Sequence, residues 1–163
     1  MANMCSNFIT ITGDDLIKIR ELLSEAEQAT QGWLPDEILK LEDLSRYLFD
    51  VSIHYEGDDH INVYCETKWA PPTEELDSIG KIFNVNITNL YEEMGSGEYG
   101  FSYFKIETMK TENIFLEEED FDRVSESEDG FATLDGNPIC GIFDAYERIL
   151  AEKVAKHYKT MEQ

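Results

Sequence analysis

His54, His60 and Cys65 fall in one short segment, and imidazole and thiolate are the ligand types of a zinc centre. A tetrahedral zinc site takes about four such ligands in close pairs, C-x2-C or H-x3-H. Neither pairing is present, and Cys65 shares one side of a predicted strand with Ile61 and Val63, which reads as a buried structural thiol. The stretch Asp129-Gly130 to Asp135-Gly136-Asn137 has the residue types of a calcium loop without the D-x-D-x-D-G-x5-E order that wraps the ion. No nucleophile elbow or comparable motif fixes a serine or cysteine against a histidine and an acid. Gly95-Ser96-Gly97-Glu98-Tyr99-Gly100 approaches a phosphate-cradling glycine pattern only with a shift, and it follows a strand without opening a helix, so it reads as a turn. The expectation is no enzyme: no catalytic residue, no metal ligand and no cofactor.

Tyr91, Tyr99, Phe101, Tyr103 and Phe104 cluster late in the chain. Aromatics on a sheet stack on RNA bases when lysine and arginine line the same face. Here 35 Asp+Glu stand against 13 Lys+Arg, a net charge of −22 with pI near 4.2. Such a field repels phosphate and anionic lipid, which disfavours direct nucleic acid and membrane partners. Phe101 and Tyr103 are therefore expected to be core residues. With 163 residues, 42% of them hydrophobic, the chain can bury roughly 70% of its extended surface, enough for one packed domain. Three cysteines without close spacing, no apolar leader and no apolar run of about 20 residues point to a reduced, cytoplasmic protein.

Residues Asn7 to Thr12 alternate as a strand, and Gly13-Asp14 ends it. Leu16, Ile19, Leu23 and Ala26 then recur at helical spacing behind Asp14 and Asp15, and a second helical stretch runs from Asp36 to Leu48. Phe49-Asp50-Val51-Ser52-Ile53 is echoed by Phe83-Asn84-Val85-Asn86-Ile87, each copy followed by Tyr-Glu and a glycine-containing turn. The same order of signals recurring in the two places reads as an internal repeat. The parse is strand 7–12, helices 14–48, strand 50–56, strand 60–67, helix 73–83 with Thr73 as its cap, and strand 84–92. Two βαβ units with right-handed crossovers place the helices on one face of an antiparallel sheet. The fold class is therefore α+β, a ferredoxin-like (split βαβ) antiparallel sheet, with residues 98–106 as an added hairpin strand and a C-terminal helix.

Residues 112–129 hold nine acids and one base and read as a solvated loop or an edge strand at Asn113 to Leu116. In residues 141–163, four bases balance four acids, so residues 1–140, with nine bases and 31 acids, carry the whole excess. Ile142, Tyr146, Ile149, Leu150, Val154 and Tyr158 give this last stretch one apolar face. The organisation expected is a ferredoxin-like core at 1–108, an acidic extension at 109–140 and a helix at 141–163 packed on the core as part of one domain.

The opening Met1-Ala2-Asn3-Met4-Cys5-Ser6-Asn7 with Ile9-Thr10-Ile11-Thr12-Gly13, the segment Glu66-Thr67-Lys68-Trp69-Ala70-Pro71-Pro72 leading into a helix, and Tyr91-Glu92-Glu93-Met94-Gly95 occur together. In these motifs the chain resembles the YubB-like ferredoxin-like-domain proteins of bacterial phages and plasmids, over roughly residues 1–108. Met4 stands where members often have Trp, and Ala70 at a Ser position. The resemblance implies a ferredoxin-like fold and a mobile-element origin, and it brings no catalytic residue.

The acidity then becomes the functional signal. A folded protein with acids spread over one face presents a field comparable to that of DNA to a protein built to grip nucleic acid. The expected function is that of a non-enzymatic phage or mobile-element protein. It would bind and inhibit a host protein with a basic surface, a nucleic-acid-binding or defence complex, as an anti-CRISPR-like protein or nucleic-acid mimic. The expected contact acids are Glu117, Glu118, Glu119, Asp120 and Asp122, with Asp58 and Asp59 as a second patch. The alternative is a small structural or regulatory homodimer joined through a strand edge or the C-terminal helix.

Overall fold

The computed structural model describes residues 3–29, 32, 48–93, 95, 97–127 and 129–161. In chain order the elements are β1 (Met4–Thr12), α1 (Ile17–Glu27), β2 (Phe49–Glu56), β3 (His60–Lys68), α2 (Thr73–Phe83), β4 (Asn86–Glu93), β5 (Glu98–Lys105) and β6 (Lys110–Phe115). There follow α3 (Glu118–Phe121), β7 (Val124–Glu126), β8 (Ala132–Leu134), β9 (Asn137–Ile139) and α4 (Ile142–Met161). Most of the helical stretch expected at Asp36 to Leu48 lies outside the described residues; Leu48 itself is buried.

Strict alternation builds the main sheet. Cys5, Asn7, Ile9 and Ile11 on β1 and Ile61, Val63, Cys65 and Thr67 on β3 are buried, while the residues between them are half-buried or exposed. The buried rows join the apolar stripes of α1 (Ile19, Leu23, Ala26) and α2 (Leu76, Ile79) in one core. Sheet order is β2-β3-β1-β4-β5-β6, and β1 pairs antiparallel with both β3 and β4. This is the ferredoxin-like α+β arrangement expected, with β5 as the added hairpin strand. β6 forms the edge and extends the strand expected at Asn113 to Leu116.

The echo between residues 49–53 and 83–87 recurs in the backbone. Asp50 (φ 47) and Asn84 (φ 58), its equivalent positions, both adopt the left-handed conformation that Asp and Asn tolerate best after glycine. At Asn84 this reversal ends α2, and the Val85 N–H donates to the Gly80 carbonyl at 3.1 Å. At the other end of α2 the expectation is corrected. Pro72, not Thr73, is the N-cap, and no side chain caps the helix; Thr73 is its first helical residue, preceded by a proline whose fixed φ suits helix entry.

Residues Met1–Glu98 and Ser102–Asn113 make one compact unit, and Tyr99–Phe101 with Ile114–Gln163 make a second. The boundaries expected at 108 and 140 are thus displaced. The acidic stretch is more than a loop, because β7, β8 and β9 form an antiparallel three-stranded sheet. The turn between β8 and β9 is Asp135-Gly136, both at positive φ (50 and 79), the conformation of a tight hairpin. The C-terminal helix, expected on the ferredoxin-like core, belongs to this second unit and packs against the three short strands. Ala145, Ile149 and Leu150 bury its inner face, and Tyr146 meets Tyr99 and Phe121 at ring-centroid distances of 5.1 Å each. Tyr103 is buried as expected, whereas Phe101 is half-buried.

Gly80 lets α2 approach the sheet, since a Cβ there would collide with the Phe104 ring. Gly80→Ala should cost about 1–3 kcal/mol in urea unfolding. Phe104→Leu in the same chain should recover part of that loss; additive losses would show that the two positions do not share this contact.

Candidate partner-binding site

The acidic run opens where β6 ends. Buried Leu116 anchors the chain, Glu117 turns extended as the N-cap of α3, and a reciprocal capping box closes. The Glu117 N–H donates to Asp120 Oδ2 at 2.9 Å, and the Glu117 carboxylate accepts from the backbone of Asp120. Lys153 of α4 donates to Glu117 Oε2 at 2.9 Å and also to Asp120. Burial pushes the Asp120 carboxyl up, but the Glu117 N–H and the Lys153 ammonium outweigh it and hold Asp120 below the usual carboxylate range. Burial would lower Lys153; its two carboxylate partners raise it instead. Arg123, paired with Asp135 at 2.7 Å and Glu152 at 3.0 Å, is raised by these hydrogen bonds and in turn lowers Asp135.

Glu117 and Asp120 thus have an architectural task, neutralised by a cation within the chain. Glu118, Glu119 and Asp122 are exposed, and none of the three forms an ion pair among the described residues. They are the members of the expected contact set best placed to meet a partner.

Asp58 and Asp59 lie at the β2–β3 turn of the first unit. Asp59 accepts from His60 Nδ1 at 2.8 Å, and this hydrogen bond lowers its carboxyl. The His60 ring stacks on Tyr55 with centroids 4.8 Å apart. The turn is closed by Gly57 N–H donating to the His60 carbonyl at 2.8 Å, and the Arg20 guanidinium of α1 donates to the Gly57 carbonyl. Asp58 projects from this turn, exposed. His54 is exposed and meets Tyr64 edge-on, while Cys65 is buried under the helices. Among the described residues no group of three or more His, Cys, Asp or Glu side chains is placed to hold a metal ion.

The three segments that carry the family resemblance converge at one end of the main sheet. Asn7, wholly buried, donates through Nδ2 to the Cys5 carbonyl at 2.9 Å and to Thr67 Oγ1 at 3.1 Å; Asn89 donates to Asn7 Oδ1 at 3.0 Å. Thr67 donates to the Ala70 carbonyl at 2.7 Å, and the Trp69 N–H donates to the Asn3 carbonyl at 3.0 Å. Glu93 accepts from the Gly95 N–H at 3.0 Å, and a Cβ at Gly95 would collide with the Asn3 side chain. These residues tie β1, β3 and β4 together. Burial pushes the Tyr91 hydroxyl up to about 12, assisted by Glu98 and Cys5.

Strand order, crossovers and helix placement define a protein of the ferredoxin-like α+β class. Residues 48–136 match the family described as the ferredoxin-like domain in Api92-like protein, and the chain belongs to that family. No curated protein and no solved structure matches it. No helix among the described residues is long and apolar enough to cross a membrane.

Two measurements check this account. Cys5 and Cys65 are buried and Cys140 is exposed, and burial pushes the Cys65 thiol up to about 12. A thiol reagent at pH 8 should therefore titrate one cysteine in the native protein and three after denaturation. Lys153→Ala should lower stability by about 1 kcal/mol. Because Asp120 is depressed in the folded state, the stabilisation it shares with Lys153 is present above its ordinary value of 3.8 and is lost as pH falls through the depressed value. Thermal melts of Lys153→Ala and the parent chain should therefore differ above the ordinary value of 3.8 and approach each other only as pH falls below it, through the depressed value.

Proposed function

We propose that this chain is a non-enzymatic binding protein of a phage or other mobile element, acting in the bacterial cytoplasm. It occupies the basic surface of a host protein and blocks it, in the way a nucleic-acid mimic would. The supporting observation is the net charge of −22 together with exposed carboxylates at Glu118, Glu119 and Asp122 that no cation of the described chain neutralises. The kinship to YubB-like proteins belongs to the same reading. A basic partner meeting this surface gains association rate from long-range attraction, and salt weakens the attraction over a Debye length of about 8–10 Å.

The charge reversal Glu118→Lys, Glu119→Lys, Asp122→Lys should leave stability within about 0.5 kcal/mol, because the three exposed side chains make no ion pair among the described residues. In pull-downs from bacterial lysate it should weaken capture of a basic partner at least about tenfold, and binding by the parent chain should fall steeply between 50 and 300 mM salt. A captured partner held equally well by the reversed protein would overturn this surface. A second reading, self-association, draws on edge strand β6, which ends on Phe115 at 53% exposure. A monomer in sedimentation at micromolar concentration would remove it.

A further inference from the structure

We propose that the face of β1, β3 and β4 away from the helices carries, around Phe8, a receptor for an arginine side chain of a partner protein, a site additional to the acidic surface described above. The face of β1 away from the helices presents Ser6, Phe8, Thr10 and Thr12, and Phe8 is 49% exposed although β1 has a hydrogen-bonded neighbour on each side. The register aligns three rows across the neighbouring strands: Glu66, Ser6 and Glu92; Tyr64, Phe8 and Leu90; Asn62, Thr10 and Thr88. Phe8 and Tyr64 are tilted against each other at 55° with centroids 5.2 Å apart. The Tyr64 hydroxyl donates to Glu66 Oε1 at 2.9 Å and lies 3.4 Å from Ser6 Oγ, which orients both the ring and the carboxylate. Glu66 Oε2 accepts no hydrogen bond among the described residues.

Adjacent strands lie about 4.8 Å apart, and same-face residues of one strand lie about 7 Å apart. A planar cation stacked on Phe8 therefore has the Glu66 carboxylate one row away, on β3. This combination selects guanidinium: its plane stacks on an aromatic face while its N–H fork reaches a carboxylate, whereas an ammonium is a strongly hydrated point charge. The three rows hold two glutamates and no lysine or arginine. The nearest base on β3, Lys68, lies one row beyond, 5.2 Å over the Phe49 ring. Exposed aromatics on a sheet also suit stacked nucleobases, but that mode needs cations for the accompanying phosphates, and carboxylates stand in their place. A second copy docked face to face would set these glutamates against their own kind.

The test uses the full-length, 15N-labelled chain and blocked four-repeat peptides of Arg-Gly, Lys-Gly and citrulline-Gly. The Arg-Gly peptide should shift the amide signals of residues 6–10, 62–66 and 88–92 and bind about fivefold or more tighter than the Lys-Gly peptide, with citrulline-Gly weakest. Phe8→Ser should weaken the arginine peptide about five- to tenfold and erase its advantage over lysine. Phe8→Leu, which keeps the apolar contact without the π face, should do the same if Phe8→Ser unfolds. Glu66→Gln should lower binding of both cationic peptides, and reversal at residues 118, 119 and 122 should leave the shifts on β1 and β3 in place. Equal arginine and lysine affinities would overturn the site. Shifts confined to residues 117–122 would also overturn it while leaving the acidic-surface reading intact. So would Phe8-dependent binding of a single-stranded RNA oligomer, or concentration-dependent shifts of the same rows without peptide, which would assign the face to nucleic acid or to a second copy.

Discussion

Asn7 sits on the central strand of the main sheet, on the side roofed by helices, with no exposed surface. β3 and β4 occupy both hydrogen-bonding edges of β1, so a side-chain amide there must find its partners inside the protein. A buried amide left without them costs about 1–3 kcal/mol. Asn7 meets this constraint by bridging strands, donating to Thr67 on β3 and accepting from Asn89 on β4. Sliding either neighbour by one residue would break the bridge and turn that strand's apolar row to the other face. The amide therefore specifies register in a way that Ile9 and Ile11, interchangeable with other apolar side chains of similar volume, do not. The turn at Gly95, whose N–H is held by Glu93 of β4, follows directly from that strand.

The main sheet was legible in the sequence because two-residue and three-to-four-residue periods are local. The alternation of β1 and the stripe on α2 each carried their signal within a dozen residues, and the Phe49/Phe83 echo repeated one five-residue pattern farther along the chain. In the second unit the C-terminal helix was legible by the same helical spacing, but the three-stranded sheet was not, for the corresponding reason. Strands of three residues, such as β7, β8 and β9, are too short to show a period, and their composition is dominated by solvated acids. The one local signal for that sheet was Asp135-Gly136, a residue pair favoured in tight hairpin turns, which can also be weighed as part of a cation loop. At the candidate site the acids themselves were evident. The division of labour among them was not, because Lys153 lies more than thirty positions from its partners Glu117 and Asp120 and no local pattern announces such a pairing. Phe8 was readable as the outward member of an alternating strand, but its alignment with Tyr64 needed the register.

Charge in this protein is partly consumed internally. Lys81 pairs with Asp77, Arg148 with Asp144, Arg123 with Asp135 and Glu152, and Lys153 with Glu117 and Asp120. Several of the few cations are thereby held in pairs whose outward field is small, and the surplus carboxylates determine what an approaching molecule senses. Self-repulsion of that surplus opposes compaction. It is borne by a fold whose cohesion comes from the roofed sheet and its polar bridge, neither of which relies on surface ion pairs.

On the readings proposed above, the exposed acids of α3 and the Phe8 row of the main sheet would recognise positive charge by different physics. Glu118, Glu119 and Asp122 stand in water, where attraction is long in range, weak per contact and tolerant of geometry. Glu66 and Phe8 offer a short-range alternative, in which an oriented carboxylate beside an aromatic ring accepts a cation at one position and in one plane. Screening by salt erodes the first kind of recognition and spares much of the second, because a stacked guanidinium excludes the water that would otherwise weaken its ion pair. A partner that uses both would be drawn in by net charge and retained by side-chain identity. An excess of negative charge alone discriminates little among basic proteins, so specificity has to come from a site where shape and charge coincide.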